Sequence, residues 1–253
     1  MCGTFSKCSA YGCKIGGSVV KNSQDARTVV ANDSYFEDCE LFGLSKFGTG
    51  YMNCGFNRCV IRDNPYDTGY GYFIGGKIAV TNTLILRTDA YRMFNGYVNG
   101  FDNAIANCTL VSNKYDILVH PATNTATMRV FNNLFIGTKT RTWTSNDDIG
   151  QAFASSVFSN NYISTTQAYN GGGNINARSA SAPKPRLMME RDPLHPYAPD
   201  RKSALNGAGL VEDWMLAALD LAGNTRLTDG RVAIGAYETT DRGPAPGVVI
   251  IFE

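Results

Sequence analysis

The chain has 253 residues, 43% hydrophobic and 18% charged, with 23 Lys and Arg against 22 Asp and Glu, giving a formal net charge of +1. That balance argues against broad electrostatic capture of nucleic acid or of an anionic membrane, and the apolar share excludes a disordered chain. No apolar run reaches the roughly 20 residues of a membrane-spanning helix, the stretch from Met1 to Cys13 lacks the apolar core of a signal peptide, and phosphate-loop and HExxH motifs are missing.

Along residues 1–165 one quartet recurs. It reads Gly12-Cys13-Lys14-Ile15, Asp38-Cys39-Glu40-Leu41, Arg58-Cys59-Val60-Ile61, Asn82-Thr83-Leu84-Ile85, Asn107-Cys108-Thr109-Leu110, Asn132-Asn133-Leu134-Phe135 and Asn160-Asn161-Tyr162-Ile163. With the second residue of each as position zero, the intervals are 26, 20, 24, 25, 25 and 28. Position plus two is always apolar, and so is position minus three: Ala10, Phe36, Phe56, Val80, Ile105, Val130 and Phe158. Position zero is small or thin, and position minus one is Asn in the last four repeats. Apolar residues alternate over short runs rich in β-branched and aromatic types, which predicts strands. A period near 25 residues is too short for a propeller blade. It suits a solenoid of about three short strands per turn, whose rungs pair in parallel and bury inward side chains only against their neighbours. Like residues then stack into columns, and Asn suits the bends because it tolerates the left-handed backbone region.

Beyond the repeat, residues 139–156 carry Trp143, Asp147 and Asp148 and are expected to protrude as a loop. Residues 166–186, with Gly171-Gly172-Gly173 and Pro183-Lys184-Pro185, read as a connection. Residues 187–253 read as a closing segment, expected to cap one end of the stack. Within it Val211 to Leu221 predicts a short helix with Trp214, Leu216, Ala217 and Leu221 sharing one face, and the apolar run Val248 to Phe252 predicts an edge strand or an end cover. No cap is legible at the N-terminal end, so a fragment or contact with another subunit there is expected.

The rungs around Cys59 and Cys108 resemble the right-handed parallel β-helix of the pectate-lyase-like superfamily. The closing segment adds to this. Asp192-Pro193-Leu194, Ser203 to Gly209, Asp220 to Arg226 and Ile234-Gly235-Ala236-Tyr237-Glu238 occur in the order seen in bacterial choice-of-anchor Q β-helix proteins. Ala204, Asn206 and Ala233 depart from that pattern, standing where Pro, Asp and Asp are usual. The resemblance implies an all-β fold: a single-stranded right-handed parallel β-helix of about seven rungs with an irregular C-terminal closing segment. It also implies a carbohydrate-active role and an extracellular or cell-surface location.

The seven Cys, at 2, 8, 13, 39, 54, 59 and 108, cannot all pair within the chain. Those sharing the ladder position read as small buried thiols. Cys39 and Cys59, on adjacent rungs, are at a separation a disulfide spans but with parallel Cβ vectors. No CxxC pair suggests a metal site. Of the two histidines, His195 reads as structural, and His120, ending the strand Ile117-Leu118-Val119, is a groove candidate.

Charge gathers at the bends from position plus four onward. Polysaccharide lyases on this fold bind uronic-acid chains, use Ca²⁺ held by carboxylates, and take an Arg or Lys as base. Glycosidases on it use clustered Asp. A hard cation stabilises the enolate formed beside a carboxylate, and a Lys or Arg base needs neighbours that lower its pKa. On that resemblance the candidate catalytic residues are Arg87, Lys114 and His120. The substrate-binding candidates are Arg62, Tyr91, Arg92 and Tyr115, since sugar faces stack on aromatic rings. The Ca²⁺ candidates are Asp63, Asp67, Asp89 and Asp116. The expected partner is a polysaccharide, with a lyase or hydrolase as the enzymatic reading. A non-catalytic adhesin or tail-spike-like β-helix is the alternative, and a solvated face of weak ion pairs is the plain structural one. Nucleic acid and membrane insertion are not expected.

Overall fold

The computed structural model describes residues 3–11, 14–15, 27–37, 40–41, 52–63, 72–87, 92–96, 102–112, 127–137, 157–163, 171–177 and 179–239. Among them the protein is all-β without an α-helix, and its strands form two main all-parallel sheets, compatible with a parallel β-helix. The first runs through Gly3–Ser6, Arg27–Asn32, Met52–Asn57, Tyr72–Thr81, Asp102–Ala106, Thr127–Phe131 and Val157–Ser159, with Arg92–Gly96 beside the start of Tyr72–Thr81. The second runs through Ser9–Tyr11, Tyr35–Glu37, Val60–Arg62, Leu84–Leu86, Thr109–Val111, Leu134–Ile136, Tyr162–Ile163 and Ile175–Asn176. Lys14–Ile15 and Glu40–Leu41 make a separate parallel pair.

Each rung crosses from the first sheet to the second through one left-handed residue. Lys7, Asp33, Arg58, Asn82, Asn107, Asn132 and Asn160 all have φ between 49° and 57°. From Ser34 onward the residue after each is buried in the stack. Cys59, Thr83 and Cys108 are neighbours in this column, as the repeat requires: Cys59 N donates to Thr83 Oγ1 (3.4 Å), and Thr109 N to Thr83 O (3.0 Å).

The register corrects the first two rungs. Tyr35 pairs with Val60 and Ser9 with Tyr35, so the residues level with Cys59 are Ser34 and Cys8, not Cys39 and Cys13. Ala10 and Phe36 accordingly lie at position plus two, above Ile61, and Ala31 takes position minus three above Phe56. The inner core is two facing columns: Ala31, Phe56, Val80, Ile105, Val130 and Phe158 from one sheet, and Phe36, Ile61, Ile85, Leu110, Phe135 and Ile163 from the other, all buried.

Asn occupies the far end of the polar column. Asn133 Oδ1 accepts from Cys108 N (2.9 Å), and Asn161 Oδ1 accepts from Asn133 N (2.9 Å) and Asn133 Nδ2 (3.0 Å). Asn174 Oδ1 continues the series, accepting from Asn161 N and Nδ2 at 3.0 Å. Asn174 precedes the strand Ile175–Asn176, so residues expected to be a plain connection add a strand to the second sheet.

The described contacts of the closing segment run along a flank, where an end cap was expected. Ala236 and Tyr237 pack with Leu84, Leu86 and Val111, while Ile234 and Leu205 pack with Leu134 and Tyr162. Asn132 fixes the docking: its Oδ1 accepts from Leu210 N (2.6 Å), its Nδ2 donates to Leu210 O (2.8 Å), and its carbonyl accepts from Gly235 N (2.8 Å). This cover explains why Leu84-Ile85-Leu86 and Leu134-Phe135-Ile136 are apolar on both faces, as strands buried on both sides are. The short helix is a 3₁₀ turn, Asp213–Ala217, and it buries Met215 against Phe131 and Val232. Trp214 and Leu216, expected to share one helical face, are 39% and 65% exposed. A 3₁₀ turn advances three residues per turn, which breaks the α-helical spacing behind that expectation. The loop at 139–156 and the run Val248 to Phe252 lie outside the described residues.

Candidate functional site

Three of the predicted site residues come together. Arg62 ends its strand, and Asp63 and Arg87 occupy matching left-handed turns one rung apart, with φ of 53° and 47°. The backbone sets this stagger, since Asp63 N donates to Leu86 O (3.0 Å) and Arg87 N to Val111 O (2.9 Å). Arg87 grips Asp63 as a fork, Nε to Oδ1 at 2.5 Å and Nη2 to Oδ2 at 2.6 Å, and Arg62 Nε reaches Oδ2 at 2.9 Å. The hydrogen bond from Arg87, helped by Arg62, holds the Asp63 carboxyl down at about 2. The same bond raises the pKa of Arg87. Arg87 is therefore held as a cation in this pair. Two guanidiniums thus flank one carboxylate, on side chains from a third to a half exposed.

The same device recurs at the other bend, where Arg58 Nε donates to Asp33 Oδ1 at 2.5 Å. Cross-rung ion pairs are thus a property of both turn columns, and each exposed pair contributes at most about 1 kcal/mol.

Arg92 lies on the strand Arg92–Gly96. Asp67, Asp89, Tyr91, Lys114, Tyr115, Asp116 and His120 lie outside the described residues. Asp63 is the one proposed Ca²⁺ ligand within them. Its two oxygens already take bonds from Arg87 and Arg62, which a cation would have to displace. Among the described residues no group of three His, Cys, Asp or Glu side chains is placed to hold a metal ion. His195 Nδ1 lies 3.1 Å from Asp192 Oδ2, and its ring meets Tyr237 edge-on. Cys59 and Cys108 are buried free thiols, and burial pushes them up to about 11 and about 12.

The closing-segment residues that carried the family resemblance form a buried polar network. Asp220 Oδ1 accepts from Asn224 N (2.6 Å) and Oδ2 from Glu238 N (2.8 Å). Both Glu238 oxygens accept from Ala233 N at 3.1 Å, and Arg226 Nη1 lies 3.2 Å from Oε1. Arg226, fully buried, also donates to Gly235 O. Burial pushes the Glu238 carboxyl up to about 7, against the pull of Arg226. The motif thus builds a folded platform, and Glu238 lines a cleft of about 690 Å³ on it. No spacing rule pointed to this cleft, because its walls come from three separate stretches between Asn206 and Thr239.

The chain matches no protein-family model, no curated protein and no solved structure. No described helix is long and apolar enough to cross a membrane.

Proposed function

We propose that the chain is a right-handed parallel β-helix of the pectate-lyase-like kind, of about seven rungs, that holds an extended acidic polysaccharide along its flank. The strong preference of parallel crossover connections for one hand supports the handedness. The observation that carries the functional reading is the trio Arg62, Asp63 and Arg87. Its guanidiniums come from successive rungs around one carboxylate, and that of Arg87 is exposed. Arg presents five N–H donors; two of those on Arg87 face Asp63, and the rest remain to meet a uronate carboxylate.

The enzymatic form of this reading is a Ca²⁺-dependent lyase, or a hydrolase, with the base drawn from Lys114 or His120. The non-catalytic form is a surface or tail-spike-like β-helix that binds carbohydrate, and the engagement of two Arg87 donors by Asp63 supports it. An extracellular location accompanies both. The test is binding to a panel of uronic-acid and neutral polysaccharides, with and without Ca²⁺, while ultraviolet absorbance follows unsaturated products. Binding of an acidic polymer that weakens in Arg87→Ala at unchanged folding is expected. Chelator-sensitive product release would identify the lyase. Undiminished binding in both Arg62→Ala and Arg87→Ala removes this flank from consideration.

A further inference from the structure

The cleft in the closing segment has walls of a different chemistry from the charged flank. Its volume of about 690 Å³ falls in the usual range of small-ligand sites, about 300–1,000 Å³. Asn206, Asn224, Thr228, Asp229, Arg231 and Glu238 line it, and among the described residues no aromatic or long aliphatic side chain does. We propose that this cleft binds a neutral saccharide or polyol through hydrogen bonds alone.

The lining selects the class. Amides and hydroxyls offer donors and acceptors side by side, as a ring of hydroxyl groups requires. A planar heteroaromatic ligand would find no ring to stack on. A phosphate or a polyanion would find the single guanidinium of Arg231 offset by the carboxylate of Asp229 and the carboxyl of Glu238. The Asn206 amide is anchored in the wall, its Nδ2 donating to Asp200 O (2.6 Å), while its Oδ1 is buried with no hydrogen-bond partner among the described residues.

The site is also preformed. Its rear wall is fixed by Asp220, which accepts from the backbone N–H of both Asn224 and Glu238. Its rim is a tight turn closed by Thr228 N to Arg231 O (3.0 Å) and Arg231 N to Thr228 O (2.9 Å). Asp229 and Gly230, at φ of 51° and 73°, take the two left-handed positions that an Asp-Gly hairpin turn favours. Arg231 then lies across Gly207, where a Cβ would stand 3.0 Å from Arg231 Cδ. The missing side chain at Gly207 lets the arginine stem lie flat along the wall. Walls set by backbone bonds keep the ordering cost of binding low.

The cleft and the flank share no residue, so each reading fails or stands by itself. The experiment is calorimetric titration of the full chain with glucose, galactose, cellobiose and lactose, with inorganic phosphate and galacturonate as the competing chemistries. Saturable binding of at least one neutral sugar is expected. Thr228→Val and Arg231→Ala, both at exposed positions, should each weaken it about tenfold, the loss of roughly one good hydrogen bond, with the thermal midpoint unchanged. Arg87→Ala should leave it unaltered. The proposal is overturned by dissociation constants above about 10 mM for all four sugars. Preference for phosphate or galacturonate, or sugar binding that survives both rim substitutions, overturns it equally.

Discussion

Replacing Asn133 by Ala tests the polar column at its most connected point. Asn133 is fully buried. Its Oδ1 takes the Cys108 N–H (2.9 Å), and its Nδ2 reaches Ile105 O (2.9 Å) and Asn161 Oδ1 (3.0 Å). Alanine strands the Cys108 N–H inside the stack, at a cost of about 1–3 kcal/mol, and forfeits two further bonds at about 1 kcal/mol each. The sum is about 3–5 kcal/mol, a large share of the roughly 5–15 kcal/mol that holds a typical domain folded. Threonine should cost about half as much by the same count of bonds kept and lost. Thr83 shows how a hydroxyl serves in this column, accepting from Cys59 N and donating to Thr81 O (2.8 Å). Urea unfolding followed by circular dichroism measures the differences, and amide exchange at Cys108 reports the local opening. Alanine within about 1 kcal/mol of the parent, or threonine as damaging as alanine, would refute the reasoning.

Three other outcomes follow from the geometry. The carboxyl of Glu238 is higher in the folded chain, about 7, than its ordinary 4.5, so the folded state binds the extra proton. Stability should therefore fall as pH rises between about 4.5 and 7, and a Glu238→Gln chain should lose that slope in thermal melts. With thiols raised by burial, Cys59 and Cys108 should resist alkylation at pH 8 until urea is added, whereas Cys8, exposed, should react at once; mass spectrometry of the labelled peptides reads this, and equal labelling of Cys8 and Cys108 would contradict it. Met215→Ala should cost about 2–5 kcal/mol, as for a buried Met, and Leu216→Ala, at a mostly exposed position, within about 0.5 kcal/mol.

From Cys59 onward the columns were readable in the chain, because inward apolar residues and a thin residue coincide at each rung, with a preceding Asn from Thr83 on. Before it they were misread by five residues. Cys13 and Cys39 imitate Cys59 and Cys108 in type, and the strands that follow them, Lys14–Ile15 and Glu40–Leu41, pair with each other, but the ladder continues through Ser34 and Cys8. The interval of 20 was the discrepant sign; the register restores 26 and 25. Lys7 and Arg58 adopt the same left-handed turn as Asp33 and the asparagines, although their residue types do not announce one. There the rung above and below imposes the conformation, which is tertiary information. The outward apolar residues of Leu84–Leu86 and Leu134–Ile136 were a legible sign that something covers that flank. The patch at Arg62, Asp63 and Arg87 was found from charge and spacing, but not its forked pairing, which depends on side-chain direction at a left-handed turn. The cleft was hidden because motif residues scattered over some thirty positions converge only after folding.

The left-handed corner has a consequence for how such a molecule can vary. From position minus three to position plus three the path is the same from Cys59 to Cys108 to Asn133, pair for pair, while the whole spacing from Ser34 to Asn161 ranges from 24 to 28 residues. Additions and deletions are therefore absorbed outside a seven-residue module whose shape is inherited from the neighbour it lies on. A lineage built this way can lengthen one excursion to suit a new binding partner without renegotiating the scaffold, much as a shelf is restocked while its uprights stay in place.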